Sequence, residues 1–464
     1  MLARKPHLVA LALTGEGHVT PMMHLCAFLS KVHKFSITFA LLSSLDSILR
    51  KKSWPPPGTD ITLVEVQGTP YVHPERPPAS KRFDITPIHE HWKEKFPEPL
   101  KRFLEELQFV DCLVCDYQLS WAIDVASKLG ISGAILFTGC VTWSWFESNM
   151  AQLVSTGVVP MEDQELAEDE DYPVLEKPVK LRRSDIPWHF WNNRPWQEYT
   201  INSNADAFVR ARWTLVSSCE ELEPELTGAM KQAIGGDKFL PVGPLFLLGD
   251  RPEDTGFTSF DPKCLGWLDQ QPDKSVLYIA FGSVAELSIE ELVEFGEGLV
   301  ASKQKFLWVT RPSKDEKTNE FYESFGDKNR EQGFVTSWAP QARVLSHSSV
   351  GAFLSHCGWN STIEGVSSGK VILCWPCLFD QNLNRRLVVE NWRVGFGFDK
   401  TQGKVRREEV ERVIRLAMKE DQGREARRRV EELSGKMKRA VTVPGGVSLQ
   451  NLEKFVWEIV SSRV

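Results

Sequence analysis

Two residues whose side chains could move a proton lie at the ends of two apolar runs in the first quarter of the chain. His18 closes the sequence GEGH, which follows the apolar run 7–13, and Asp116 closes the run 112–116. If both runs are parallel strands of one sheet, the two side chains lie at the same carboxyl edge. A carboxylate that orients an imidazole there makes it a general base. His18 alone would more often be an ordinary loop histidine, so the interpretation depends on the pair.

A stretch of 44 residues, 338–381, contains groups that could bind a nucleotide-sugar. Trp338 opens it with an indole that can stack on a planar base. An apolar run at 350–354 predicts a buried strand, and the residues 356–361 turn out of it into a helix. Backbone N–H groups at such a helix start can bind an anion.

Three polar residues later in this stretch suit a sugar. Glu364 follows about one turn into the helix and offers a carboxylate to a ribose diol, and Asp380 and Gln381 follow a second apolar strand into a loop. Each position also has an ordinary explanation: Trp338 could be core, Glu364 a solvated helix residue and Asp380 a turn former. Their joint occurrence in this order favours the nucleotide-sugar site.

Composition predicts a globular protein with two or more domains and excludes several function classes. The chain has 464 residues, of which 42% are hydrophobic and 25% charged. Its net charge of −7 and pI of about 5.9 give no basic face for nucleic acid. No apolar run reaches the about 18 residues that span a membrane. The first apolar run lacks a small-residue cleavage site after it, so we expect no signal peptide and a cytoplasmic protein.

Two motifs that could bind metal have simpler explanations. The nine cysteines include the CxxC pairs Cys112/Cys115 and Cys374/Cys377, which lie in or beside apolar runs. We predict buried thiols, since neither pair has a second pair nearby. The sequence Asp169-Glu170-Asp171 has the form of a DxD metal motif, but no apolar strand positions it. We therefore predict an acidic surface loop there and no metal site.

Short apolar runs alternate with amphipathic stretches in both halves of the chain, which predicts an α/β fold. We place a first α/β domain at 1–249, a polar linker at 250–262 and a second α/β domain, which contains the stretch 338–381, at 263–445. The remaining segment, 446–464, is predicted to be a helix that could pack back on the first domain. Two doubly wound units that face each other would form a cleft at the carboxyl ends of their sheets.

A tryptophan-dense stretch precedes the middle of the chain. Trp188, Phe190, Trp191 and Trp196 lie within nine residues. Clustered aromatic residues can line a cleft for a planar ligand. They can equally form a small hydrophobic cluster under a loop. The sequence leaves both interpretations open.

The stretch 338–381 closely resembles the signature segment of plant UDP-dependent glycosyltransferases that act on small molecules, and the resemblance extends more weakly along nearly the whole chain. It implies two Rossmann-like domains in the GT-B arrangement, with the acceptor bound by the first (1–249) and the UDP-sugar by the second (263–445). It also implies metal-independent, inverting transfer of glucose from UDP-glucose, a co-substrate rather than a cofactor, to a small phenolic, flavonoid-like acceptor. His18 would deprotonate the acceptor and Asp116 would support it. The charge of the departing UDP would be offset by His356, a helix N-terminus and hydroxyl groups.

The resemblance also implies how the chain holds the UDP-sugar, with the uracil at the first residue of the segment and the sugar at its last two. The implied contacts are Thr138 near the sugar; Ser283 at the diphosphate; Trp338 on the uracil; Ala339 (through its backbone) and Gln341 at the base or ribose; His356, Trp359 (through its backbone), Asn360 and Ser361 at the diphosphate; Glu364 at the ribose hydroxyls; and Asp380 and Gln381 at the sugar hydroxyls. A final glutamine is usual in this family when the sugar is glucose.

Three alternatives stay open at this point. A binding protein could keep the UDP-sugar site without catalysis, although the pair of His18 and Asp116 argues against it. The new bond could also go to carbon or nitrogen rather than to oxygen, because the same base can activate a phenol for attack through its ring. A nicotinamide-dependent oxidoreductase is disfavoured because GEGH lacks the third glycine of GxGxxG. We expect a monomer, and the acceptor is not determined.

Overall fold

Two parallel β-sheets form the framework of the protein. The computed structural model describes residues 4–13, 15–42, 54–68, 86–159, 173–175, 180–186, 194–248, 263–282, 287–313, 315–401 and 403–462. The strands of the first half are β1 (His7–Ala12), β2 (Ser36–Leu41), β3 (Ile61–Glu65), β4 (Cys112–Asp116), β5 (Ser132–Phe137), β6 (Pro173–Leu175), β7 (Leu181–Arg182), β8 (Trp213–Val216) and β9 (Phe239–Pro241). All except the antiparallel pair of β6 and β7 form one parallel sheet in the order β3-β2-β1-β4-β5-β8-β9.

The second half contains a parallel sheet of six strands in the order β12-β11-β10-β13-β14-β15. These strands are β10 (Val276–Ala280), β11 (Lys305–Val309), β12 (Gly333–Thr336), β13 (Val350–Ser355), β14 (Val371–Cys374) and β15 (Gly395–Gly397). Every residue of β4 and of β10 is buried, as expected for parallel strands that helices cover on both faces. The predicted α/β class with two doubly wound units is confirmed.

The strand order reverses once in each sheet, and such points are where ligands bind beyond the carboxyl ends of the strands. The reversal lies between β1 and β4 in the first sheet and between β10 and β13 in the second. His18 follows β1 and Asp116 ends β4, whereas His356 follows β13. Topology therefore brings the predicted base to one reversal and the predicted diphosphate turn to the other.

Helices cover both sheets. Those of the first half are α1 (Glu16–His33), α2 (Thr86–Lys95), α3 (Pro97–Glu106), α4 (Trp121–Lys128), α5 (Val141–Ser148), α6 (Met150–Ser155), α7 (Arg194–Tyr199), which continues as a π-helix (Thr200–Ala205), α8 (Asp206–Arg210) and α9 (Pro224–Ile234). Those of the second half are α10 (Lys263–Leu268), α11 (Ile289–Ala301), α12 (Glu316–Lys328), α13 (Gln341–Ser346), α14 (Trp359–Ser367), α15 (Gln381–Arg386), which continues as a π-helix (Leu387–Asn391), α16 (Arg407–Lys419), α17 (Asp421–Thr442) and α18 (Val447–Ser461). Within the described ranges, no helix is both long and apolar enough to cross a membrane.

Helix α1 begins earlier than the position of its proline predicts. Proline favours the first turn of a helix, so the sequence predicts a start at Thr20-Pro21 and a loop before it. The carbonyl of Gly15 instead accepts hydrogen bonds from the N–H groups of His18 (2.9 Å) and Val19 (2.8 Å), and the helix begins at Glu16. The imidazole of His18 is thus held by the first turn of a helix and not by a loop.

The last helix, α18, packs against the first sheet. The indole N–H of Trp213 in β8 donates to Glu458 at 2.8 Å. The rings of Trp213 and Phe455 meet edge-on with centroids 5.2 Å apart. The chain therefore returns to its first half at the end. The predicted domain boundaries stay predictions, because the linker 250–262 lies outside the described residues.

Candidate active site

His18 and Asp116 form a hydrogen-bonded pair. The Nδ1 atom of His18 lies 2.8 Å from Oδ2 of Asp116. Asp116 is fully buried, and its Oδ1 accepts a hydrogen bond from the backbone N–H of Gln118 at 3.0 Å. The second bond fixes the carboxylate at the end of β4, so the imidazole is oriented by a rigid partner.

The surroundings of His18 favour a protonated imidazole more than water does. Burial disfavours the charged ring, but the charge and hydrogen bond of Asp116, with the charge of Asp380 from the second half, outweigh burial and raise the pKa of His18. Thr138, for which the resemblance implies a place near the sugar, lies with Oγ1 3.1 Å from the same Nδ1 atom. Because two oxygens hold Nδ1, Nε2 is the nitrogen that can take a proton from an acceptor.

A helix proline creates a contact between the two halves beside His18. Pro21 lies inside α1 and has no N–H, so the carbonyl of Gly17 lacks the donor that a helix normally supplies four residues later. The side-chain amide of Asn360, in the first turn of α14, donates to this carbonyl at 3.1 Å. Asn360, which the resemblance places at the diphosphate, thus contacts the residue just before the predicted base.

The ring of His356 lies between two glycines on the predicted diphosphate turn. A Cβ added to Gly282, whose φ is +78°, would come 2.5 Å from Cε1 of the ring, and one added to Gly358 would come 2.5 Å from Nε2. Glycine is therefore required at both positions if the ring is to stay. The Nδ1 atom is buried and has no hydrogen-bond partner in the described part of the chain. An unpaired ring nitrogen beside a helix start suits an anion.

Arg311, which the sequence analysis did not select, supplies the positive charge near this turn. Burial and the charge of Arg311 lower the pKa of His356 to about 4. These two causes favour a neutral ring, which can donate a hydrogen bond to a diphosphate, and the role of His356 in offsetting its charge stays a prediction. Arg311 Nη2 lies 3.7 Å from Oε2 of Glu16 in the first half. Its position two residues beyond β11, at the carboxyl edge of the second sheet, is the signal that could have identified it.

Gln341, Ser361 and Glu364 form one polar cluster. The amide Nε2 of Gln341 donates to Glu364 Oε2 at 2.6 Å and lies 3.1 Å from Ser361 Oγ. The hydroxyl of Tyr278 donates to the Gln341 carbonyl oxygen at 3.3 Å. Burial raises the pKa of Glu364 to about 7 against the hydrogen bond from Gln341. The structure thus brings together three of the residues that the resemblance assigns to the ribose and diphosphate.

Asp380 and Gln381 begin α15, where each already has internal partners. Asn384 Nδ2 donates to Asp380 Oδ2 at 2.7 Å. Burial raises the pKa of Asp380 to about 6, and the hydrogen bond from Asn384 and the charge of His18 oppose the rise. The side-chain oxygen Oε1 of Gln381 accepts hydrogen bonds from the backbone N–H groups of Cys377 (2.7 Å) and Leu378 (2.8 Å). Any bond from Gln381 to a sugar hydroxyl would therefore use its amide N–H groups.

The remaining predicted residues of the UDP-sugar site differ in their exposure. Trp338 is 37% exposed, which leaves surface for stacking, and Ala339 is buried. The indole N–H of Trp359 donates to the carbonyl of Ser217 at 2.7 Å, so this side chain joins the two halves in addition to the backbone role that the resemblance implies. Ser283 lies outside the described residues.

Other predicted features fall away from this site or outside the described ranges. Eight of the nine free cysteines are buried and Cys377 is partly buried, which agrees with the predicted structural thiols. Of the tryptophan-dense stretch, Trp196 is described, and its buried ring stacks on Tyr199 with centroids 5.6 Å apart. The rest of that stretch, 188–191, and the acidic triplet 169–171 lie outside the described residues.

Comparisons with known proteins bear directly on this arrangement. A family profile described as "UDP-glucoronosyl and UDP-glucosyl transferase" matches residues 263–421, which include the segment 338–381. UDP-glycosyltransferase 85A1 of Arabidopsis thaliana is 30% identical over 491 aligned positions that cover 98% of this chain and 96% of that protein. The chain belongs to the plant UDP-glycosyltransferase family.

Two solved structures extend the family likeness to the fold. A UDP-glucosyltransferase from Polygonum tinctorium capable of glucosylating indoxyl superposes with a TM-score of 0.83 at 29% identity, covering 98% of this chain and 99% of that one. Phytolacca americana UGT2, solved with UDP-2fluoro-glucose and pterostilbene, superposes with a TM-score of 0.81 at 27% identity, covering 99% and 100%. The GT-B arrangement is confirmed. This UDP-glycosyltransferase is an enzyme of a family that uses UDP-sugars.

Proposed function

We propose that this UDP-glycosyltransferase transfers glucose from UDP-glucose to a hydroxyl group of a small phenolic acceptor, without a metal and with inversion. The observation that carries the proposal is the 2.8 Å pair of His18 and Asp116 at the reversal of the first sheet. The 3.1 Å contact of Asn360 with Gly17 supports it, because it brings the predicted diphosphate turn next to the base. One cleft can therefore hold both reactants.

The reaction is a single displacement. His18 Nε2 takes the proton of the acceptor hydroxyl, and the oxygen forms a bond to the anomeric carbon as the bond from that carbon to the UDP oxygen breaks. UDP leaves with the electron pair. Attack from the face opposite to UDP converts an α-linked glucose into a β-glucoside. Asp116 and Asp380, whose charges raise the pKa of His18, stabilise the imidazolium that forms.

A phenol suits this base better than an alkyl alcohol does. A phenolic hydroxyl has a pKa of about 10, much closer to that of an imidazole than the pKa of about 15.7 of water. Proton transfer in the transition state is most effective when the two pKa values are close. The two solved relatives support an aromatic acceptor, because one is capable of glucosylating indoxyl and the other was solved with pterostilbene.

Glucose as the transferred sugar is supported by the residues at the start of α15. Asp380 can accept from sugar hydroxyls and the amide of Gln381 can donate to one, which fits a ligand with adjacent hydroxyls. The Polygonum tinctorium relative is named a UDP-glucosyltransferase. A direct comparison of UDP-glucose with UDP-galactose, which differ in the orientation of one hydroxyl, tests this part of the proposal.

Replacing His18 by alanine tests the base. We expect transfer to a phenol to fall by about 10²- to 10⁴-fold, the usual contribution of a positioned base, while UDP binding measured by calorimetry stays within threefold. The matched control is His347→Ala, because His347 lies outside the cleft region with its partner Asp269 at 3.1 Å. Unchanged turnover in the His18 variant would refute the assignment, and a product that resists acid hydrolysis would indicate transfer to carbon.

A further inference from the structure

A cluster of buried polar atoms in the first half has no partners. His89 Nδ1 in α2, Glu147 Oε1 in α5, and Thr200 Oγ1 and Asn204 Oδ1 in the π-helix are all buried, and none has a hydrogen-bond partner within the described ranges. Nearly all buried polar groups in proteins are paired, and each unpaired one costs about 1–3 kcal/mol. Four such atoms on neighbouring helices make this region a candidate binding site for a polar group of a ligand.

Contacts between their helices bring these residues close to one another, and the charge of His18, which is among the causes that lower the pKa of His89, places His89 near the predicted base. The amide Nδ2 of Asn204 donates to Glu147 Oε2 at 3.1 Å, which joins α5 to the π-helix. The ring of His89 packs against Tyr199, next to Thr200 in the chain, with centroids 5.5 Å apart.

Tyr117 connects this site to His18. Its ring lies 6.1 Å from that of His18 with an interplanar angle of 28°. Burial, followed by the charge of Glu147, raises the pKa of the Tyr117 hydroxyl, which places that hydroxyl within the field of Glu147. The cluster therefore lies one aromatic residue away from the base, a separation that suits the two ends of a small acceptor.

The charge state of the cluster limits the ligand. Burial raises the pKa of Glu147 to about 8 against the hydrogen bond from Asn204. Burial also lowers the pKa of His89 to about 3. Burial therefore favours the protonated carboxyl group and the neutral imidazole, forms that offer a hydrogen-bond donor and acceptors without charge. A carboxylate placed there would be a buried charge without a counter-ion.

Glu223 shows that this protein can pair both carboxylate oxygens of a buried glutamate. Its carboxylate accepts from the backbone N–H groups of Val141 (2.9 Å) and Thr142 (2.7 Å), at the start of α5. It also accepts from the Thr142 hydroxyl at 2.6 Å. Glu147 lies five residues after Thr142 on the same helix, and its Oε1 has no hydrogen bond among the described residues. The two carboxyl groups thus differ in their hydrogen bonding although both contact α5, so the unpaired oxygen of Glu147 depends on its own surroundings.

We propose that Glu147, Asn204 and their polar neighbours His89 and Thr200 form a subsite that hydrogen-bonds an uncharged hydroxyl or carbonyl group at the end of the acceptor remote from the glucosylated hydroxyl. This inference rests on the proposed function and adds a selection rule to it. The enzyme prefers acceptors with a second neutral polar group over those that end in hydrogen or in a carboxylate. Glu147 is thus a specificity-determining residue.

Acceptors that differ only at the remote end test the rule. The probes are 4-phenylphenol, 4,4′-dihydroxybiphenyl and 4′-hydroxybiphenyl-4-carboxylate, with the corresponding 4-hydroxystilbenes as a longer set. In at least one set, we expect kcat/KM of the wild-type enzyme to be about tenfold or more higher for the diol than for the plain phenol, mainly because KM is lower. This ratio is taken after division by two, because the diol has two equivalent hydroxyl groups. Carboxylates should be poorer than the plain phenols. Equal values for diol and plain phenol in both sets would overturn the proposal.

Two variants of Glu147 separate a ligand contact from a structural role. Glu147→Leu should reduce the diol-to-phenol ratio of kcat/KM to about one and leave the affinity for UDP, which binds outside this subsite, within threefold. Glu147→Gln, which keeps a neutral donor and acceptor, should retain most of the preference. Glu105→Leu, an exposed position on α3, is the matched control. A folded Glu147→Leu enzyme with the wild-type preference would mean that ordered water alone fills the site, and would end the proposal.

The subsite can be tested even if the proposed reaction is wrong. Binding of the same acceptors in the presence of UDP can be followed by calorimetry, and the diol-to-phenol ratio of Kd values replaces the ratio of kcat/KM. A protein that transfers no glucose but binds the diol selectively through Glu147 would contradict the proposed function and keep this subsite. A protein that transfers glucose without selectivity would do the reverse.

Discussion

Asp116→Asn is the most informative single perturbation of the candidate base, because it removes a charge and keeps the shape of the side chain. The asparagine Oδ1 can still accept from the N–H of Gln118, as Asp116 does at 3.0 Å. Its Nδ2 then faces Nδ1 of His18, where a carboxylate oxygen lies at 2.8 Å in the native protein. An amide N–H needs an acceptor, so it favours the imidazole tautomer that carries its proton on Nε2. That atom should take the proton of the acceptor.

The expected loss follows from two effects. A hydrogen bond to a charged group contributes about 1.5–3 kcal/mol net, which corresponds to about 10- to 150-fold in rate if it is made to the imidazolium. The change of tautomer also removes base function, and a positioned base contributes about 10²–10⁴-fold. We therefore expect kcat to fall by about 10²- to 10⁴-fold.

The pH profile distinguishes loss of the charge from simple damage to the site. The base must be neutral to act, so kcat/KM falls as the pH drops below the pKa of His18. Burial lowers that pKa, while the charge and hydrogen bond of Asp116 raise it and prevail. Without them, the acid limb of kcat/KM moves to lower pH even though the plateau falls. A purely structural defect would lower the plateau and leave the limb in place.

Initial rates with UDP-glucose and a phenolic acceptor from about pH 5 to about pH 9 measure both effects. UDP affinity and melting temperature show whether the variant is folded. The control is Asp124→Asn, since Asp124 is half-exposed on α4 and pairs with Arg210 away from His18. A folded Asp116→Asn enzyme that keeps turnover within threefold, with its acid limb unmoved, would refute the role of the pair.

Two further predictions concern the UDP site and the joint between the halves. Burial raises the pKa of Glu364 to about 7 against the hydrogen bond from Gln341, and this pKa should fall when a ribose diol binds to the carboxylate. UDP should therefore bind more weakly as the pH drops through this value, and its binding should release protons. Calorimetry in two buffers measures both effects, and Glu364→Gln should abolish the contribution of this residue to them. Arg386→Met leaves the buried Asp185 without its 2.7 Å ion pair and should lower the free energy of unfolding by about 3–5 kcal/mol. Arg415→Met, which removes an exposed ion pair with Glu411, should lower it by less than about 1 kcal/mol. Equal losses in denaturant titrations would contradict this comparison.

Much of the fold and the proximity of His18 to Asp116 could be predicted because both follow from local rules. Apolar runs identified the strands β1 and β4, and parallel strands place their carboxyl ends at one edge. Apolar residues at 410, 413, 414 and 417 share one face of a helix, and this pattern predicts α16. Helix α17 was missed because its buried stripe includes Gly423, Ala426 and Ser434, small residues that do not form an apolar pattern.

Contacts between the two halves could not be predicted in the same way. The bonds from Asn360 to Gly17 and from Trp359 to Ser217 depend on how one sheet is placed relative to the other. No periodicity in the sequence encodes that placement. The charge of His356 was also beyond the sequence, because it depends on how deeply the ring is buried and on the charge of Arg311.

The contacts around α1 predict a link between the binding of the UDP-sugar and the position of His18. Asn360 holds the carbonyl of Gly17, and Arg311 lies 3.7 Å from Glu16, so two groups from the second half contact the helix turn that carries His18. A diphosphate at the start of α14 would draw on the same amide and the same guanidinium, because both are hydrogen-bond donors aimed at the cleft. Its arrival must therefore rearrange or share the bonds that hold the first turn of α1. We therefore expect UDP-sugar binding to adjust the turn that carries His18, in addition to the orientation that Asp116 already gives the ring.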